Sequence, residues 1–148
     1  AGIFVMNVDG SNRSPLTSGG EIQSSWSPDS KQMVYCSRSQ QKIGEWYPYE
    51  IFVSNADGSN ARMLTKGAAS ALEPGWSPDG RQITFVRLGE EVSKKSSIFL
   101  VNAGGTDLRK ITFVSVKDHC PAWSPDGKKI AFHSDRDGNF GIYVINVR

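Results

Sequence analysis

The sequence predicts an all-β chain made of four-stranded antiparallel units, and three recurring segments predict it. The first is Ile3-Phe-Val-Met-Asn-Val-Asp-Gly-Ser-Asn12. It returns as Ile51-Phe-Val-Ser-Asn-Ala-Asp-Gly-Ser-Asn60, as Ile98-Phe-Leu-Val-Asn-Ala-Gly-Gly-Thr-Asp107, and in part as Ile142-Tyr-Val-Ile-Asn146. The second is Trp26-Ser-Pro-Asp-Ser30, repeated as Trp76-Ser-Pro-Asp-Gly80 and Trp123-Ser-Pro-Asp-Gly127. The third is Leu16-Thr17, then Leu64-Thr65, then Ile111-Thr112. The copies are about 44–50 residues apart, a period that belongs to propeller blades.

Each segment has a local physical reason. Ile-Phe-Val and Ile-Tyr-Val are β-branched and aromatic and have the length of a short strand. Asn-x-Asp-Gly-Ser offers residues that tolerate positive φ, so it closes a tight hairpin. Ser-Pro-Asp-Gly closes a second one, with Pro fixing φ at its first corner. Gln32-Met-Val-Tyr35, Gln82-Ile-Thr-Phe85 and Lys129-Ile-Ala-Phe132 lie between these turns and read as half-buried strands. Each unit therefore has strand a ending at Trp-Ser, strand b, strand c of the Ile-Phe-Val type, and strand d leading into Leu-Thr. Radially arranged units of this kind form a β-propeller. The expected organisation is a partial blade over 1–17 (strands c and d), blades over 18–65 and 66–112, and a partial blade over 113–148 (strands a to c). That makes about three blades, or half a six-bladed ring, with about thirteen strands by the four-strand plan.

The stretch Trp123-Ser-Pro-Asp-Gly-Lys-Lys-Ile-Ala-Phe-His-Ser-Asp-Arg-Asp-Gly-Asn-Phe-Gly-Ile-Tyr-Val144 resembles a blade of the TolB-type, WD40-like propeller repeat family. The likeness extends over nearly the whole chain. It implies a six-bladed ring in the complete family member, strand a lining a central channel, and a periplasmic or extracytoplasmic location. It also implies a non-enzymatic module that binds a protein or peptide. Similar repeats in prolyl-oligopeptidase-type peptidases supply an alternative, a propeller that gates substrate to a separate hydrolase domain. An unclosed array leaves strand edges bare, so a homodimer completing the ring is a further expectation.

Composition narrows the partners. The formal charge is +2 with Lys and Arg scattered, which gives no reason to expect nucleic acid. No apolar run approaches the roughly 20 residues that span a bilayer, so no membrane insertion is expected. Cys36 and Cys120 lack metal-ligand spacing and read as free thiols. No cofactor or metal site is expected. Asp135-Arg-Asp-Gly-Asn139 begins like a calcium loop but lacks the distal ligands, and reads as a hairpin. No Gly-x-Ser-x-Gly elbow or phosphate loop is present. His119 and Cys120 are adjacent, and neighbours on an extended strand point to opposite sides, so they are poorly placed to share a proton. His133 aligns with Cys36 and Val86 and reads as a packing residue. A catalytic propeller would need clustered His, Asp or Glu at the channel mouth, where only Glu73 and His119 are available. Trp26, Trp76 and Trp123 recur in register and read as structural.

The a–b and c–d turns are near copies of one another, whereas the d–a and b–c connections differ between units. Binding residues concentrate on variable loops held by a rigid scaffold. Two candidate sets lie there. Gln23, Glu73 and Cys120 are equivalent residues at the start of strand a, next to His119, and should converge at the channel mouth. The long b–c connection Ser37–Tyr49 carries Trp46, Tyr47 and Tyr49, residue types that often anchor interfaces. The expected partner-binding residues are therefore Gln23, Trp46, Tyr47, Tyr49, Glu73 and His119, with no catalytic residue. Substituting Trp46 or Glu73 is expected to weaken binding and leave the fold intact.

Overall fold

A computed structural model describes residues 2–89, 95–113 and 116–147. Among these residues the chain forms thirteen strands in four antiparallel sheets. The first sheet pairs β1 (Phe4–Val5) with β2 (Ser14–Pro15). The second runs β3 (Ile22–Trp26), β4 (Gln32–Arg38), β5 (Tyr49–Asn55), β6 (Arg62–Met63). The third runs β7 (Ala71–Trp76), β8 (Gln82–Leu88), β9 (Ser96–Asn102), β10 (Arg109–Lys110). The fourth has β11 (Asp118–Trp123), β12 (Lys129–Ser134) and β13 (Gly141–Asn146). Each sheet is ordered as its strands occur in the chain, the up-and-down pattern of a propeller blade.

The turns explain the repeats. In each a–b turn the Ser hydroxyl donates to the Asp carboxylate two residues on: Ser27 to Asp29 at 2.7 Å, Ser77 to Asp79 and Ser124 to Asp126 at 2.6 Å. The same carboxylate accepts the N–H of Lys31, Arg81 or Lys128. Gly80 and Gly127 sit at φ 70° and 69°, and Ser30 adopts φ 59° at the equivalent place. The Leu-Thr pairs follow strand d. Thr17, Thr65 and Thr112 accept the N–H of Ile3, Ile51 and Ile98, which open the neighbouring c segment. A recurring threonine thus satisfies a backbone donor that the short d strand cannot reach.

Burial is greatest between sheets. Val34, Cys36, Ile51 and Val53 form one face of the second sheet and pack on Ala71, Trp76, Ile83 and Phe85 of the third. Val86 and Ile98 meet Phe132 in the same way. The equivalent outward face of the fourth sheet is uncovered, with Ile142 66% and Val144 58% exposed. The tryptophans differ for the same reason. Trp76 is 8% exposed, packed against the second sheet, whereas Trp26 is 44% exposed because the two-stranded sheet before it offers no strands a and b to pack against.

Candidate functional site

The inner strands β3, β7 and β11 run beside one another. Each carries a register shift near its start, between Ile22 and Ser25, Leu72 and Gly75, and His119 and Ala122. The residue inside each bulge has positive φ: Gln23 at 51°, Glu73 at 57°, Cys120 at 53°. A left-handed residue in a bulge re-aims its side chain and frees its N–H from the ladder. Those freed groups are claimed in sequence. The Gln23 carboxamide oxygen accepts the Glu73 N–H at 2.9 Å. The Glu73 carboxylate in turn accepts the Cys120 N–H. Gln23, Glu73 and Cys120 therefore do meet, as a chain of inter-sheet ties.

His119 joins this chain. Its Nδ1 lies 3.3 Å from Glu73 Oε1 and its Nε2 lies 3.0 Å from Ser96 Oγ. The order Ser96, His119, Glu73 resembles the relay of a serine hydrolase, but the hydroxyl is not free to attack. Ser96 is 3% exposed and its Oγ donates to the Asp118 carbonyl at 2.9 Å. A nucleophile must reach substrate, so the trio reads as a structural link from β7 to β9 and β11. Ser96 carried no repeat signature pointing to this role.

The thiols are likewise poorly suited to chemistry. Cys36 is buried and donates to the Gln23 carboxamide at 3.5 Å, and burial pushes its pKa up to about 12. Cys120 is exposed, yet desolvation and the nearby Glu73 carboxylate raise its pKa as well. A raised pKa depletes the nucleophilic thiolate. The stretch 135–139 is a hairpin whose carboxylates are engaged, Asp135 by the Lys117 N–H at 2.8 Å and Asp137 by the Tyr143 hydroxyl.

The second candidate set is arranged differently from the sequence expectation. The b–c connection spans 39–48, shorter than Ser37–Tyr49, because β4 continues through Arg38 and β5 begins at Tyr49. Tyr49 is a strand residue opposite Arg38, half-buried against the core and capped by the Arg38 guanidinium at 5.7 Å. Its register in the sheet, invisible in a run of polar and aromatic residues, removes it from the loop. Trp46 and Tyr47 remain on the connection, 47% and 45% exposed. Reciprocal backbone bonds hold the loop, from Ile43 N–H to Trp46 O at 2.8 Å and back at 3.3 Å. Beside it lies a cleft of about 370 Å³ bordered by Arg38, Gln40, Phe52, Met63 and Lys66. Phe52, Met63 and Lys66 were not singled out from the sequence, since two of them sit in ordinary strand positions.

Comparison with solved structures supports the architecture. A protein assigned as TolB from Agrobacterium tumefaciens is similar at TM-score 0.78 and 20% identity, over 97% of this chain and 50% of that one. TolB from Acinetobacter baumannii is similar at TM-score 0.74 and 20% identity, over 97% of this chain and 34% of that one. A puromycin-hydrolysing peptidase of Mycobacterium tuberculosis matches at TM-score 0.71 and 18% identity, over 93% of this chain and 24% of that one. The chain thus spans half or less of these proteins. The TolB beta propeller domain family matches residues 38–148. With that match extending over the outer strands of the second sheet and all of the third and fourth, and the repeats explained blade by blade, the chain belongs to the TolB β-propeller family.

Proposed function

We propose that the chain is a non-enzymatic binding module that recognises a protein or peptide through the face carrying its d–a and b–c connections, in a periplasmic or extracytoplasmic setting. One observation carries the reading: Trp46 and Tyr47 are half-exposed on a loop pinned by its own backbone hydrogen bonds. Rigid aromatic side chains give large contact area at low entropic cost. Gln23, Glu73 and His119 contribute to this face mainly by fixing the inner strands, since their polar atoms are already partnered within the protein.

The test selects peptides from a random display library on the chain and measures each against Trp46→Ala and Tyr47→Ala. Affinity is expected to fall tenfold or more, about 1.4 kcal/mol, with the unfolding midpoint unchanged. Selected peptides that bind both variants as tightly as the parent would sink the reading.

A second reading is a propeller that gates substrate for a peptidase domain. The likeness to the M. tuberculosis peptidase favours it. A Gly-x-Ser-x-Gly segment encoded beyond residue 148 would decide for it, and an α/β domain encoded before residue 1 would decide against it. Self-association is a separate proposal, supported by the uncovered Ile142 and Val144. Light scattering tests it: a stable species near twice 16.2 kDa is expected, and a monomer at all concentrations would end it.

A further inference from the structure

One junction between sheets is polar where its counterpart is apolar. Leu72 and His119 hold the same place on β7 and β11, opposite Val86 and His133. Tyr49 and Ser96 likewise hold the same place at the start of β5 and β9, opposite Arg38 and Leu88. Tyr49 and Leu72 pack against the apolar cluster between the second and third sheets. Between the third and fourth sheets the corresponding residues are Ser96 and His119, in polar contact at 3.0 Å. The repeat thus puts a titratable ring where the preceding junction has an aliphatic side chain.

The proton count at this ring is tight. The Cys120 N–H donates to Glu73 Oε2, and Glu73 Oε1 faces the ring Nδ1 at 3.3 Å. A carboxylate only accepts, so Nδ1 must carry a proton to make that bond. The Ser96 hydroxyl has one proton and gives it to the Asp118 carbonyl at 2.9 Å. Nε2 must therefore carry a proton as well. Both ring contacts are made together by the imidazolium, in which both nitrogens donate. A neutral ring has one proton for the two contacts. It keeps Glu73 and calls the serine hydroxyl away from Asp118, or it keeps Ser96 and turns a lone pair towards the carboxylate. In either form Glu73 faces an uncharged ring, and it is hydrogen bonds between charged groups that are strong.

The side chains of His119 and Glu73 are 31% and 23% exposed. The ring can exchange its proton with solvent, while the pair is sheltered from full screening by salt. Of the other ionisable groups around it, Asp118 is paired with Arg136. Cys120, Lys117 and Lys95 are chain neighbours of the cluster and take part in no ion pair among the described residues. His133 is exposed and lies opposite His119 on β12, and a charge there opposes one on His119.

We propose that His119 is a proton-operated latch between the third and fourth sheets: the charged ring holds Glu73 of β7 and Ser96 of β9 to β11 at once, and loss of the proton slackens the hold on Glu73. Glu73 also accepts the Cys120 N–H, so the slackening is passed to the bulge of β11 at the mouth of the inner strands. The proposal is independent of what the connection face binds.

Histidine changes charge between about pH 5 and about pH 8, so that range is scanned with the chain labelled with nitrogen-15 and carbon-13. The His119 ring resonances report the proton, the Glu73 carboxyl carbon reports its partner, and hydrogen exchange of the Cys120 amide reports the tie. The Glu73 carboxyl resonance is expected to follow the His119 titration with a shared midpoint. Protection of the Cys120 amide, corrected for the intrinsic pH dependence of exchange, should be about threefold higher at the acid end. Glu73→Gln keeps an oxygen for the Cys120 N–H, as Gln23 does for the Glu73 N–H, and should make that protection independent of pH while His119 still titrates. His133→Gln should leave the response in place. Cys120 protection that stays flat while His119 titrates overturns the proposal, as does a His119 ring that keeps one charge state throughout. A response that survives Glu73→Gln, or disappears with His133→Gln, belongs to another group and overturns it too.

Discussion

The two ends of the sheets are built on different rules. The a–b turn end repeats the same short-range bonds three times, Ser to Asp and Asp to the next N–H but one. The connection end shares the recurring threonine bonds, but it also has long-range bonds of buried carboxylates that differ from sheet to sheet. Glu50 is 1% exposed and accepts from Thr65 and from the Gly67 N–H, Asp118 is 0% exposed and pairs with Arg136, and Glu73 bridges to β11. Local closure needs the same residues everywhere, so it repeats. A bond between distant segments depends on the loop that delivers it, so it varies.

The comparison is broken most forcefully at Arg136. Its Nη2 donates to Asp118 Oδ1 at 3.2 Å and its Nε to Ser134 Oγ at 2.9 Å. Arg136→Ala leaves a fully buried carboxylate without its cation, a change that costs about 3–5 kcal/mol. Urea unfolding should show the loss, and a cost near zero would mean that the connection end is not held by such pairs. Arg87 offers the control. Its Nε and Nη2 are buried without hydrogen-bond partners among the described residues, and the residue at the place of Asp118 is Ala71. Arg87→Met removes an unpaired polar edge and is expected to cost less than Arg136→Met.

The turn end responds less. Gly80 holds φ 70°, and a Cβ there would meet only the Pro28 ring at 3.7 Å. Gly80→Ala therefore tests backbone strain alone and should cost about 1–2 kcal/mol. Ser30 is the inverse case, a serine at φ 59° where the other two turns have glycine. Ser30→Gly relieves that strain but adds unfolded-chain entropy. The net effect is a gain of about 0.5 kcal/mol, visible as a higher midpoint in thermal unfolding. A loss in Ser30→Gly would show that the three turns are not equivalent.

These two positions also show what the sequence made legible. The turns, the strand order and the two-, four-, four- and three-stranded division all follow from local chemistry that recurs, so a single chain displays them. Ser30 stands out by the same logic, as a departure from Gly at a known place. The mouth cluster was legible in part. Aligned repeats bring Gln23, Glu73 and Cys120 together, but not the bulges that turn their polar atoms onto the neighbouring backbone. Hence Glu73 is now expected to matter for stability, where the sequence suggested an intact fold. Tyr49 was misplaced because strand ends depend on register with Arg38, a pairing between segments that no local pattern encodes.

Acid should separate the two ends with the smallest effect. The carboxyls of Asp29, Asp79 and Asp126 are held below their usual value, chiefly by the hydroxyls of Ser27, Ser77 and Ser124. In the c–d turns Asp9 and Asp57 are lowered by Ser11 and Ser59. A lowered folded-state pKa contributes stability that is fully present above the unfolded value of 3.8 and is lost as pH falls through the folded value. Because these groups are solvent-exposed, each adds little, but five turns share the same sign. The urea midpoint should therefore fall between about pH 5 and about pH 3. In a Ser27→Ala, Ser77→Ala, Ser124→Ala variant the largest cause of the shift is gone from three turns, so the fall should be shallower even though the starting stability is lower. The same acid sensitivity in variant and parent would place the titrating groups at the connection end instead, and would mean that the repeated turns are kept for their geometry rather than for their charge.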